Sequence, residues 1–386
     1  LFSCKPTDFS TTIMDNSVFF DFLRFCLDDD APLPQSASAI NWQRLYDLGH
    51  KQGIVGVLFH GIKRLKRNDP HPTPQVLAQI GTENAMIVES NKEAYADAFR
   101  VTEFVYRRYG HRSCILKGQG NALMYPDPYM RASGDIDQWI VPNDGETVED
   151  IMRLCRRIDP NCKLQYHHAE LTDDGSTPVE MHFRPSFTEN FIYNARLQKF
   201  FEQEAANQVV NIVSLPDNLG RICVPTDSFN RIFQLSHVFK HFLSEGIGLR
   251  HVIDYYYLLK RGITEDEKRE YAAVVRRLGM EKFARGLMFI LSDVLGLSPS
   301  LLPMASDMRV GKMILREVMK GGNFGKFDER FAGMESDNPI LNAFYSIVKN
   351  MRFAFEFPQY TVFAHISWIL WWHFYYRYHI NRIVEE

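Results

Sequence analysis

Hydrophobic residues recur at near-helical spacing through the first 110 residues of the chain. The first helical segment is predicted to end at the acidic run 28–30 and Pro32, and a pair of short helices follows on either side of Gly53. The segment 74–109 predicts one long amphipathic helix that leads into Gly110. Because amphipathic helices usually bury their apolar face, we interpret this region as a packing layer rather than as a lid or substrate platform.

The pattern changes between residues 111 and about 215, where short apolar runs and alternating positions predict a mixed α/β section. Residues 115–141 predict a strand, a glycine-flanked turn, a helix and a second strand. We expect a helix over 146–157, a strand over 163–171 and, after a turn rich in Asp, Gly, Ser and Pro, a returning strand over 179–183.

Helical patterns return after residue 216, beginning at Pro225-Thr226-Asp227, which has the form of a helix start. The stretch 357–376 contains no Lys, Arg, Asp or Glu and is rich in aromatic residues. Its proline, glutamine and histidines favour a buried C-terminal helix over an integral membrane span, which needs about 20 mainly apolar residues. Peripheral contact with a membrane is the alternative interpretation.

These patterns predict an α+β fold in which a small mixed sheet is flanked by N-terminal and C-terminal helical regions. We place the boundaries at 1–110, 111–215 and 216–386. A hydrophobic content of 45% and a charged content of 24% are ordinary values for a globular protein. The formal net charge of −3 gives no electrostatic footprint for bulk DNA binding, although it leaves room for one specific RNA partner.

The six cysteines are scattered along the chain without a C-x-x-C pair, which is typical of a reducing compartment. Cys162 with His167 and His168 offers too few ligands for a structural zinc site. No N-terminal segment has the charged-then-apolar order of a signal peptide. We therefore expect a cytoplasmic protein, with membrane-peripheral association through 357–376 as the alternative.

The segment 115–141 contains the most informative chemistry, because Asp135 and Asp137 stand one residue apart on a predicted strand. Successive side chains of a strand point to opposite faces, so these two carboxylates project from the same face. Such a pair repels unless a cation lies between its members. Mg²⁺ is the natural occupant, because it takes one or two carboxylates together with phosphate oxygens of a substrate. The pattern predicts a protein that handles a nucleoside triphosphate.

The same residues carry a resemblance to known proteins. The order of strand, turn, helix and D-x-D strand resembles the nucleotidyltransferase superfamily of DNA polymerase beta. More narrowly, Lys117-Gly118, Tyr125-Pro126, Arg131 and Asp135-Ile136-Asp137 resemble a bacterial family described as uncharacterised nucleotidyltransferase. This resemblance implies a small nucleotidyltransferase sheet, an NTP substrate and two Mg²⁺ ions, with Mn²⁺ as a possible substitute.

The remaining site residues are assigned with the help of this resemblance. A third carboxylate is expected, and Glu180 is the best candidate because it shares the polar face of its alternating strand with His182, which would orient substrate. Gly118, Gln119 and Gly120 form the predicted phosphate turn, where glycine lets the backbone approach an anion at a helix N-terminus.

Two cations complete the predicted site. Lys117 would pair with the β- or γ-phosphate, or form a salt bridge with Asp135. Arg131 would neutralise developing charge or hold the aspartate strand in place.

A second set of polar residues lies in the C-terminal helical region. His237 and His241 are four residues apart on one helical face, and Asp254 falls in the next predicted helix. We favour the interpretation that His237 and His241 are buried in the core or between domains, since helical faces often bury histidines. The alternative is that His241 and Asp254 line the far wall of a nucleotide cleft.

The leading functional hypothesis is a Mg²⁺-dependent transfer of NMP, first of all AMP, from an NTP to an acceptor hydroxyl with release of pyrophosphate. The acceptor is open: a small molecule, a protein or an RNA end would all fit. A catalytically weak nucleotide-binding regulator or toxin–antitoxin-type component is the main alternative, favoured by Gln119 where many superfamily members have Ser or Gly. A third hypothesis is an assembly protein that docks through 357–386.

Overall fold

The computed structural model describes residues 16–172, 177–331, 333–334, 345, 347–364, 380 and 382–383. Helices and two sheets combine in an α+β architecture, as the sequence predicts. The helices before the sheet are α1 Ser17–Leu27, α2 Trp42–Gln52, α3 Val55–Lys63 and α4 Pro74–Tyr109.

The long helix α4 has the bounds that its sequence predicts. The side chain of Thr73 accepts a hydrogen bond from the backbone N–H of Val76, Pro74 occupies the first turn, and Gly110 ends the helix with a left-handed φ of 74°. Its buried face includes Tyr95 and Ala98, which pack in the core beneath the sheet. The predicted packing role of this region is consistent with that burial.

The strands and helices of the middle section alternate along the chain. They are β1 Ser113–Ile115, α5 Gln119–Ala122, β2 Ile136–Ile140, α6 Val148–Ile158, β3 Lys163–Leu164, β4 His168–Glu170, β5 Val179–His182, α7 Phe191–Gln208, β6 Ile212–Ser214 and β7 Arg221–Cys223. Five strands form the main sheet in the order β1-β2-β5-β4-β3, and β6 and β7 form a separate hairpin. Only the β2–β5 pairing within the main sheet is parallel.

The two faces of the main sheet differ in chemistry. Ile136, Ile140, Val179 and Met181 lie on one face and belong to a buried cluster with residues of α4 and α6. The opposite face carries polar residues and Trp139. The helices that follow the sheet are α8 Asp227–Ser244, α9 Leu249–Lys260, α10 Glu265–Arg277, α11 Glu281–Phe289 and α12 Met308–Gly321.

The polar face of the sheet is turned toward these later helices. The ring of Trp139 stacks on Phe229 of α8 with centroids 5.6 Å apart, and both residues belong to the large helical core. Aromatic stacking of this kind adds about 0.5–1.5 kcal/mol to the area that it buries. The contact fixes α8 against the sheet, so that the polar face and the C-terminal helices form the two walls of a cleft.

Two sequence predictions of secondary structure are wrong in detail. The single strand predicted over 163–171 is a hairpin, β3 and β4, because the backbone reverses at Gln165, whose N–H donates to the carbonyl of His168 at 2.8 Å. The helix predicted between the phosphate turn and the D-x-D strand is α5, which has only four residues. The chain then proceeds to β2 through irregular turns.

The aromatic stretch 357–376 lies partly outside the described residues. Its described part contains a short 3-10 helix, Pro358–Tyr360, with Phe357 and Tyr360 buried in the helical core. Within the described part of the chain, every helix falls short of the length and apolar character that a membrane crossing requires.

Candidate functional site

The parallel pairing of β2 and β5 brings together the carboxylates that the sequence separates. Asp137 is the register partner of Glu180, and Trp139 is the partner of His182. Because partners in a sheet share a face, Asp137, Glu180 and His182 project to the same side. Their ligand atoms all lie within 4.8 Å of one another. Asp135 immediately precedes β2, and its carboxylate remains partly exposed.

Two protein cations contact these carboxylates. The Lys117 ammonium lies 3.0 Å from Asp137 Oδ1 and 3.9 Å from Asp135 Oδ2, so both aspartates lie on the side of the sheet that faces Lys117. His182 Nε2 lies 3.0 Å from Asp137 Oδ1 and 3.3 Å from Glu180 Oε2. Of the two alternatives for Lys117, the structure shows the ion pair with the aspartates, with Asp137 as the closer partner.

Asp137 is the centre of this arrangement and has no exposed surface. Its Oδ2 is buried without a hydrogen-bond partner among the described residues. A buried carboxylate oxygen that lacks a partner is costly. A divalent cation ligated by Oδ2 would remove that cost, so the residues present fit the metal that the sequence predicts.

The charges of the site stabilise one another. Burial opposes ionisation of Asp137, but Lys117 and the hydrogen bond from His182 hold its pKa below the ordinary value. Burial likewise opposes ionisation of Glu180, and His182 overcomes it, so that the pKa of Glu180 is about 2. Burial would lower the pKa of His182, yet hydrogen bonds to Asp137 and Glu180 raise it to about 9. At neutral pH, His182 is therefore a buried cation between two carboxylates.

The predicted phosphate turn has one glycine with a clear backbone role. Gly118 has a φ of 58°, and a Cβ there would lie 3.3 Å from the carbonyl oxygen of Asp135. Gly120 is buried, and a Cβ there would lie 2.9 Å from the carbonyl oxygen of Ile115. Close packing therefore explains why this position is a glycine. The side chain of Gln119 is fully buried, and neither of its polar atoms has a partner within the described part of the chain.

Arg131 and Asp254 form a buried pair rather than two separate ligands in the cleft. Arg131 Nε and Nη2 donate to the two carboxylate oxygens of Asp254 at 2.7 and 2.8 Å, a bidentate geometry. The Tyr125 hydroxyl donates to the same carboxylate at 2.6 Å. The carbonyl of Arg131 accepts a hydrogen bond from Asn91. This network anchors the segment before β2 to α9, in agreement with the positioning role that was one alternative for Arg131.

The two histidines of α8 contact each other and residues of the C-terminal helical region. The rings of His237 and His241 have centroids 4.4 Å apart, and His241 Nδ1 lies 3.1 Å from Glu245 Oε2. Burial is the main reason that the pKa of each is lowered, which favours neutral imidazoles. His237 faces the cleft described below, whereas the interactions of His241 are with its own helix and with Phe324 and His251.

A cleft separates the D-x-D segment from α8 and α9. It is a narrow cleft that opens to solvent. Its walls include residues of both sides: Lys117, Gly118, Arg131, Asp135, Gln234, His237, Arg250, Asp254 and Phe324. Asp254 therefore borders the cleft, as in the interpretation that places it on the far wall of a nucleotide cleft. Both oxygens of its carboxylate accept hydrogen bonds from Arg131.

Sequence reasoning missed Arg250 as a site residue. Its Nη1 donates to the carbonyl of Ala132 at 2.9 Å, and its Nε is buried without a partner among the described residues. Burial is the main cause of a lowered pKa, about 10, which still leaves the guanidinium charged. In the sequence, Arg250 precedes Asp254 by four residues, so the two side chains lie on one helical face. This spacing could have identified Arg250 as a neighbour of the site.

The comparisons with known proteins agree with this geometry. Residues 38–296, more than half of the chain, match a family model described as uncharacterised nucleotidyltransferase. The chain belongs to this family, as its K-G, Y-P, R and D-I-D residues suggest. No curated protein matches the chain, and no solved structure does either. Family membership supports a nucleotidyl-transfer role and implies an NTP substrate, while the wider relation to DNA polymerase beta stays a prediction.

Proposed function

We propose that this protein is a Mg²⁺-dependent nucleotidyltransferase that moves NMP, with AMP as the first choice, from an NTP to an acceptor hydroxyl. The observation that supports this most directly is the buried carboxylate of Asp137, which lies next to Glu180 and has one oxygen without a partner among the described residues. Exposed acidic pairs are common on strands, whereas a buried carboxylate oxygen without a partner is costly and favours an additional ligand. The family assignment agrees with this interpretation.

Asp135, Asp137 and Glu180 would hold the metal. Mg²⁺ bound there would neutralise phosphate charge and stabilise the attacking and leaving oxygens of an in-line displacement. Glu180 is suited to bind a cation rather than to accept a proton at neutral pH, because its pKa of about 2 makes it a weak base. The partly exposed Asp135 lies at the mouth of the cleft and is accessible to a substrate.

The protein cations have complementary roles in this proposal. Lys117 would exchange its contact with Asp137 for a phosphate oxygen of the substrate, since an ammonium group acts as a movable point charge. Arg250, whose Nε is buried without a partner among the described residues, offers a second donor to the same triphosphate. The acceptor hydroxyl attacks the α-phosphorus, the bond to the bridging oxygen breaks, and pyrophosphate leaves.

The proposal is tested by isothermal titration with each NTP in the presence and absence of Mg²⁺. We expect saturable binding that requires Mg²⁺ and that is lost in Asp135→Asn. Asp135 is preferable to Asp137 for this test because its partial exposure makes it less important for folding. Asp144→Asn, an exposed carboxylate in the turn after β2, is the matched control. Equal binding by both variants would contradict the assignment of Asp135.

A nucleotide-binding protein without turnover is the second candidate. It is favoured by the ion pair of Lys117 with Asp137 at 3.0 Å and by the charge of His182, which already neutralise the carboxylates. The two candidates differ in pyrophosphate release with a panel of acceptors, since a regulator would bind NTP without producing pyrophosphate.

A further inference from the structure

Three buried imidazoles lie side by side on the polar face of the sheet, next to the carboxylates described above. His168 is the register partner of His182 across the antiparallel β4–β5 pair, and His167 directly precedes β4. The ligand nitrogens of His167, His168 and His182 all lie within 4.8 Å of one another. Two of the side chains come from paired strands and the third from the residue just before one of them, so the sheet brings the group together.

The ligand atoms follow one another at 3.0 to 3.7 Å. His167 Nε2 lies 3.0 Å from His168 Nδ1, and His168 Nδ1 lies 3.7 Å from Glu180 Oε2. Glu180 Oε2 in turn lies 3.3 Å from His182 Nε2. A dication with bonds of about 2.0–2.2 Å places neighbouring ligands roughly 3.0–3.5 Å apart. The three imidazoles form one group within 4.8 Å, and Glu180, which contacts His168 and His182, would rotate toward them to complete the ligand set.

A second contact orients the ring of His182 for this purpose. Nδ1 of His182 lies 3.2 Å from the carbonyl oxygen of Arg184, to which it would donate its proton, so that Nε2 is directed at the cluster. His168 Nε2 lies 3.7 Å from Glu170 Oε1. Metal-bound histidines almost always direct their second nitrogen to a carbonyl or carboxylate in this way. His168 Nε2 and His167 Nδ1 are both buried without a hydrogen-bond partner among the described residues.

The charge around the cluster also suits a cation. Glu180, Asp137 and Glu170 place three carboxylates near the rings, and the ammonium groups of Lys117 and Lys240 offset two of these charges. Three imidazoles and one carboxylate are a poor set for Mg²⁺, which prefers oxygen ligands, and a good set for zinc and similar ions. Cys162 does not belong to the group of potential ligands among the described residues.

We propose that His167, His168, His182 and Glu180 form a binding site for a transition-metal dication of the Zn²⁺ class. This site is separate in chemistry from the carboxylate site proposed for the Mg²⁺–NTP complex and shares Glu180 with it. Zn²⁺ would replace the Nε2 proton of His182 and release it to solvent, because only a deprotonated imidazole nitrogen binds a metal. The proposal rests on the imidazole geometry and does not depend on nucleotidyl transfer.

The test is calorimetric titration of the chelator-stripped full-length protein, made without a polyhistidine tag, with Zn²⁺. We expect one strong site that millimolar Mg²⁺ does not displace. The His167→Ala, His168→Ala double variant should weaken Zn²⁺ binding by at least about 100-fold, since loss of outer partners alone costs about 10–100-fold. Cys162→Ser is the matched control for thiol binding and should leave the affinity unchanged.

The outcomes separate this inference from the proposed function. Asp135→Asn should lose Mg²⁺–NTP binding and keep the Zn²⁺ site. Absence of Zn²⁺ binding, an unchanged affinity in the histidine double variant, or a loss in Cys162→Ser would overturn the inference. If the double variant does not fold, X-ray absorption of the Zn²⁺-loaded wild-type protein decides the question. Imidazole scattering would support the site, and sulfur ligands would contradict it.

Discussion

His182 is a buried cation whose charge depends on pH, and its contribution to stability can therefore be measured. Hydrogen bonds to Asp137 and Glu180 outweigh the effect of burial and raise its pKa from the ordinary 6.5 to about 9. The folded protein holds this proton more tightly than the unfolded chain, so the stabilisation is complete below pH 6.5 and is lost as the pH rises through 9. The pKa difference corresponds to about 3 kcal/mol.

The assay is urea unfolding of wild-type protein and His182→Gln between pH 6 and pH 10, with a chelator present. Glutamine keeps a hydrogen-bond donor but carries no charge. We expect the difference in the free energy of unfolding between the two proteins to shrink by about 3 kcal/mol over this range. His71→Gln, at an exposed position, is the control and should show no such trend. A difference that is constant with pH would refute the view that His182 is a cation held by two carboxylates.

Three further predictions concern the neighbouring residues. Arg131→Met should lower the free energy of unfolding by about 3–5 kcal/mol in urea titrations, because it leaves Asp254 as an uncompensated buried charge; a change below about 1 kcal/mol would contradict the anchoring role. Gly118→Ala should cost about 1–2 kcal/mol because of its positive φ. Gly81→Ala, inside α4 with free space around it, should instead stabilise by about 0.5–1 kcal/mol, and thermal melts of the two variants measure both changes. Asp135→Asn should remove Mg²⁺-dependent NTP binding without changing the melting temperature by more than about 2 °C.

Local patterns were sufficient to predict most helices. Pro74–Tyr109 has a capping threonine, a proline in its first turn and a terminal glycine. These residues at its two ends determine where the helix begins and ends. The hairpin of β3 and β4 was missed because both strands and the turn at Gln165 read as one run of alternating residues. Strand pairing is a long-range property, and periodicity cannot locate a reversal within a short segment.

In the candidate site, too, local patterns predicted the residue types, whereas strand pairing determined which residues meet. Asp135, Asp137 and Glu180 were predicted because their residue types and strand positions indicate metal chemistry. The adjacency of Asp137 and Glu180 depends on the parallel β2–β5 register, which no local pattern contains. The cluster of His168 and His182 likewise depends on the β4–β5 register. His167 and His168 looked too few for a metal because the third imidazole comes from another strand.

Labelled nucleotide can show whether this chain transfers a nucleotidyl group. The protein is incubated with Mg²⁺, a cell extract as the source of acceptors, and NTP that is labelled at either the α- or the γ-phosphate. Transfer of NMP predicts that the α-label appears on an acceptor while the γ-label is released in pyrophosphate, and that Asp135→Asn abolishes both. Transfer of the γ-label above the level found with the extract alone, or transfer of neither label, would show that the protein is not a nucleotidyltransferase.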